Sequence, residues 1–198
     1  MRHLVCIATL LLGGTAAAAS LSVTVRDAEG RPLPGAVVTL DSDAARAAAR
    51  PLAGAAIVQK DRRFVPDVTV VTAGTAVSFP NEDTVRHHVY SFSPAKTFEL
   101  KLYTGTPAAP VVFDKPGVAV LGCNIHDQMA AWVVVVQTPY HARTGADGVA
   151  RLEDVPPGRY RLRGWHASLP PEPPPVEQPL TLAEGASSAL LQIGGPAR

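Results

Sequence analysis

The sequence predicts an all-β protein. Short runs such as Leu21-Ser-Val-Thr-Val-Arg26 alternate apolar and polar residues with period two, the pattern of a half-buried strand. Longer runs such as Ala131-Trp-Val-Val-Val-Val136 are filled with β-branched and aromatic residues. The 198 residues include 19 prolines and 16 glycines, enough turn residues to punctuate many short strands.

In chain order, Arg2, the apolar stretch from Leu4 to Leu12 and the small residues from Gly13 to Ser20 read as an export signal cut near Ala19. The apolar run is shorter than the roughly 20 residues a membrane-spanning helix needs. Cys6 lies inside the signal, and removing residues 1–19 takes away Arg2 and no acid, so basic and acidic residues then balance. A neutral chain of this kind has no electrostatic footprint for nucleic acid. Leu21 to Arg26 and Ala36 to Leu40 are expected strands on either side of the turn cluster Asp27 to Gly35. The Ala-rich segment 41–56 reads either as a short helix or as a connector.

Phe64 to Phe79 reads as two strands around Ala73-Gly74, closed by the polar loop Pro80 to Asp83. Further strands are expected over His87 to Ser93, Lys96 to Tyr103, Val111 to Phe113, Gly117 to Leu121 and Ala131 to Val136. A hairpin is expected over Ala146-Asp-Gly148, then a tight turn and strand from Val155 to Arg163. Pro170 to Pro179 reads as an extended surface loop, because repeated proline cannot donate to a sheet. Leu180 to Ile193 can supply one or two closing strands. Trp132 and Trp165 are assigned to packing, and His141 and His166 to solvent by default.

The chemistry concentrates in Cys123-Asn-Ile-His126-Asp-Gln-Met129, which places a thiolate, an imidazole and a thioether within seven residues between two expected strands. With Cys6 gone, Cys123 is the one remaining cysteine and has no partner for a disulfide in an oxidising compartment. Two imidazoles, one thiolate and a weak axial thioether make the trigonal donor set that copper favours in electron transfer. The second imidazole must come from elsewhere in the chain, and His87 and His88 both offer one, about 36 residues upstream.

These residues resemble a family. Phe64-Val-Pro, Gly74, Val77-Ser-Phe79, Asn81-Glu-Asp83, His87-His-Val89, Pro116-Gly117 and Cys123 to Met129 are similar to the plastocyanin, pseudoazurin and amicyanin group of cupredoxins, over residues 57–137. The resemblance implies a Greek-key β-sandwich. It also implies His87, six residues after Asn81 and two before Val89, as the first ligand beside Cys123, His126 and Met129. His88 stands where the family carries an asparagine that ties the two ligand loops together. The short Cys-x-x-His-x-x-Met loop looks like that of amicyanin, and the resemblance makes His126 the solvent-facing ligand. Residues 20–56 and 138–198 resemble the strands of the carboxypeptidase regulatory-like sandwich, an Ig-like unit into which the copper module would be inserted.

The resemblance therefore implies a periplasmic type 1 copper protein, one copper per chain, that passes single electrons between partners such as a c-type cytochrome or an amine dehydrogenase. The alternative use of the same ligands is copper holding and delivery without redox turnover. An enzyme is not expected. The chain has 6 histidines, too few for the further copper ligands of an oxidase or nitrite reductase, and it carries no phosphate loop, paired-carboxylate site or Ser/His/Asp set.

Overall fold

The computed structural model describes residues 19–169 and 176–194, so the expected export signal lies outside the described residues apart from Ala19. The chain runs through β1 (Ala19–Arg26), β2 (Val37–Asp41), the short α1 (Asp43–Ala48), β3 (Ala55–Ala56), β4 (Val58–Lys60), β5 (Arg63–Val65), β6 (Val68–Thr72) and β7 (Thr75–Ser78). It continues through β8 (His87–Ser93), β9 (Lys96–Tyr103), β10 (Val111–Phe113), β11 (Gly117–Cys123) and β12 (Ala130–Val136). Last come β13 (His141–Arg143), β14 (Val149–Val155), β15 (Gly158–Trp165), β16 (Val176–Leu182) and β17 (Gly185–Gln192). The protein is all-β, and α1 decides the open reading of segment 41–56. Ser42 caps it by accepting from the Ala45 amide.

Among the described residues four of the five sheets sort into two facing pairs, and β4 and β5 form a separate two-stranded ladder. Sheet β14-β1-β17 packs on sheet β13-β2-β15-β16, and Leu21, Val23 and Val25 alternate into the core between them with Leu40 and Leu162. Sheet β6-β12-β11-β8-β9 encloses a second core with the smaller sheet β10-β7-β3, filled by Phe79, Val89, Phe113, Leu121, Met129 and Val133. β12 explains its own composition. Ala131, Val133 and Val135 face that second core, while Val134 and Val136 face Val37 and Trp165 of the first sandwich. A strand buried on both faces can be apolar throughout, and each fully buried valine contributes about 1.5–3 kcal/mol.

Three expectations need correction. The turn at 146–148 forms, with the Gly148 amide donating to the Gly145 carbonyl, but it is not a hairpin: β13 pairs with β2, and β14 pairs with β1 in the opposite sheet. Thr144 holds this crossover, its hydroxyl donating to the Leu33 carbonyl and accepting from the Ala36 amide. The proline-rich stretch gives way to a strand at Val176, and Pro179 sits inside β16. That strand is an edge, where a residue without an N–H leaves no central ladder bond unmade. His141 and His166, both expected in solvent, are half-buried, and burial pushes the His141 imidazole below the usual value. Among the described residues no helix is long and apolar enough to cross a membrane.

Candidate metal centre

Cys123 ends β11, and the antiparallel register sets it opposite Val89 of β8. Alternation along β8 then buries His87 and Val89 on the inner face and turns His88 and Tyr90 outward. Against β9 the register slips between His87 and Val89, where two steps along β8 answer three along β9 from Tyr103 to Leu100, so the extra residue of the bulge lies in β9. β8 itself keeps its alternation through His87. After Cys123 the chain makes a tight turn in which the Met129 amide donates to the His126 carbonyl at 2.9 Å. This returns His126 to the side of Cys123 before β12 starts.

Three donor atoms result, one each from His87, Cys123 and His126, all within 4.8 Å of one another. Sγ of Cys123 lies 3.7 Å from Nδ1 of His87 and 3.8 Å from Nδ1 of His126. The imidazole centroids are 5.0 Å apart. His87 is fully buried, Cys123 is buried and not in a disulfide, and His126 is half-buried beside the exposed Ile125. Met129 is buried in the same core as Cys123. His88 goes elsewhere: its Nε2 sits 2.9 Å from Oε1 of Glu99, and its ring meets Tyr90 edge-on.

The first histidine is held from behind. Its Nε2 lies 2.7 Å from Oδ2 of Asp83, so Nε2 carries the proton and Nδ1 presents its lone pair toward Cys123. Asp83 also accepts the amides of Asp61 and Arg62 at 2.8 and 3.0 Å, in the turn between β4 and β5, where both residues have positive φ. Burial pushes the Asp83 carboxyl up, but the bonds from His87, Arg62 and Asp61 outweigh it and hold it below the usual carboxylate range. Asn81 braces the loop, accepting from the Asp83 amide and donating to the carbonyls of Val85 and Tyr103. The sequence alone gives Asp83 no role. The four-residue spacing from Asp83 to His87 was the available signal, and it has meaning only once the chain turns back between them.

On the outer face, Tyr90 lies over Gly122, the residue before Cys123. A Cβ at position 122 would come within 2.7 Å of the Tyr90 ring, so glycine is required for the tyrosine to cover the strand there.

The donor set fits one soft ion. Spacings of 3.7 and 3.8 Å leave room for a centre bonded to each atom at about 2.0–2.3 Å. A thiolate with two imidazoles, beside a buried thioether, matches copper in preference to the hard oxygen-seeking cations.

No family model matches the chain, and no curated protein matches it. Solved structures do. A copper-containing nitrite reductase from Thermus scotoductus SA-01 is 25% identical over 46% of this chain and 26% of its own, with a TM-score of 0.39. A purple cupredoxin from Nitrosopumilus maritimus is 22% identical over 41% of this chain and 99% of its own, with a TM-score of 0.37. A reduced Cu(I) form of an amicyanin variant is 18% identical over 50% and 98%, with a TM-score of 0.39. The chain spans about a quarter of the length of the nitrite reductase. What the centre can do follows from its own residues.

Proposed function

We propose that this protein is a type 1 copper protein that carries single electrons, with His87, Cys123, His126 and Met129 as its ligands. The observation that supports this reading is the pair of Nδ1 atoms at 3.7 and 3.8 Å from one buried thiol. Copper, when bound, supplies a Cu(I)/Cu(II) couple. The chain supplies the rest. Cys123 is fixed by the β11 ladder, and His87 by Asp83 and the β4–β5 turn, so two of the donors keep their orientation whatever the charge between them. Burial of Cys123, His87 and Met129 excludes water from that side, and His126 beside exposed Ile125 is the point where an electron enters or leaves.

In this reading residues 57–137 form the cupredoxin module, inserted into a carboxypeptidase regulatory-like sandwich of residues 20–56 and 138–198 that takes no part in the chemistry. The proposed setting is the periplasm, with a redox protein such as a c-type cytochrome or an amine dehydrogenase as partner. Voltammetry of the copper-loaded chain tests the function. We expect one reversible one-electron wave that is lost in His126→Ala. Tight retention of Cu(I) without a wave would instead assign the same residues to copper delivery.

A further inference from the structure

Ala19 opens β1, the central strand of sheet β14-β1-β17, and pairs with Val155 on one side and Gly185 on the other. Its methyl group is buried in the first core with Leu21 and Val23, only 1% exposed. Ala19 therefore belongs to the folded sandwich, whereas the sequence alone puts it at the end of the export signal. The run from Ala16 to Ala19 supplies the small residues that a signal peptidase reads at the first and third positions before its cut, and it supplies them for more than one bond. Only the fold distinguishes those bonds.

We propose that a signal peptidase processes the chain at the Ala18–Ala19 bond, so that the mature protein begins with Ala19 as the first residue of β1. The inference rests on the export reading and is independent of copper. Water adds to the Ala18 carbonyl and the C–N bond breaks, leaving a carboxylate on Ala18 and an ammonium on Ala19. Ala16 and Ala18 are then the two small residues before the cut. A cut one bond later would discard a core methyl and its place in the ladder between β14 and β17. The new ammonium is met by opposite charge, because the exposed Asp154 and Glu184 adjoin Val155 and Gly185, the two residues with which Ala19 pairs. Proteolysis needs an exposed, unpaired segment, and Ala19 and Ser20 are both paired with β17 in the fold. Hydrolysis therefore precedes the docking of β1 into its sheet.

The test is to express the full chain in a bacterium that has a periplasm, and to read the intact mass and the amino-terminal residues of the periplasmic product. That product should start at Ala19, followed by Ser20 and Leu21. Ala18→Leu, which puts a large side chain just before the cut, should abolish the product that starts at Ala19, and Ala18→Ser, which keeps a small one, should retain it. Both changes fall on the removed side of the bond, so the Ala19 product is the same molecule in every variant that makes it. A product starting at Ser20 or later, or before Ala19, would overturn the proposal, and so would unchanged processing of Ala18→Leu. An uncut chain held outside the periplasmic fraction would overturn it together with the export reading, and the mass and the cell fraction distinguish that outcome from a displaced cut.

Discussion

Nε2 of His87 lies 2.7 Å from Oδ2 of Asp83, while Nδ1 of the same ring lies 3.7 Å from Sγ of Cys123. One imidazole thus joins a buried thiol to a carboxylate that is itself tied to the turn between β4 and β5. Removing the carboxylate acts on metal binding through orientation, since Asp83 is not among the clustered donors. Asp83→Asn should lower copper affinity about 10- to 100-fold in a chelator competition. Asp83→Ala should also lose about 1 kcal/mol of stability in urea unfolding of the metal-free chain, because the Asp61 and Arg62 amides lose their acceptor. Unchanged affinity in both variants would remove Asp83 from the account.

The two adjacent histidines should behave differently. His87→Ala should abolish stoichiometric copper binding, and His88→Ala should leave it intact, because the His88 ring faces Glu99 and Tyr90. Metal analysis of the purified variants reads the difference, and loss of copper in His88→Ala would reverse the assignment.

Gly122→Ala should destabilise the chain by about 1–3 kcal/mol, because the new methyl meets the Tyr90 ring at 2.7 Å. Most of that loss should disappear in the Gly122→Ala/Tyr90→Ala double variant compared with Tyr90→Ala alone, a coupling that thermal unfolding measures. Additive effects would mean that the tyrosine does not depend on the glycine.

Tyr103 contributes to the loss of stability at alkaline pH. Burial pushes its phenol up to about 12, against the opposing hydrogen bond from Gln59. The folded state therefore holds this proton more tightly than the unfolded chain, so the contribution is fully present below pH 10 and is lost as pH rises from about 10 to 12. Tyr103→Phe should flatten the fall of stability with pH in that window, as measured by urea unfolding at stepped pH. An unchanged slope would contradict the shift.

Local spacing carried much of this in the sequence. Cys123, His126 and Met129 lie within one turn, so their proximity needs no knowledge of the fold. The choice between His87 and His88 needed a resemblance, because neighbouring strand residues point to opposite faces and only the register with β11 decides which faces Cys123. Asp83 was not legible as a support, since its partners at 61, 62 and 87 meet only through the loop that Asn81 braces. The turn at 146–148 announced a reversal of the chain but not which sheet would receive β14. Proline content suggested a loop through Pro179, and only the edge position of β16 shows how a strand accommodates it.

The most direct test of the centre is the visible absorption spectrum of the full chain with one equivalent of Cu(II), beside Cys123→Ser. The wild type should show an intense thiolate-to-copper charge-transfer band that is absent in the variant. A colourless complex, or a band that survives the loss of the Cys123 sulfur, would contradict a copper site built on that thiolate.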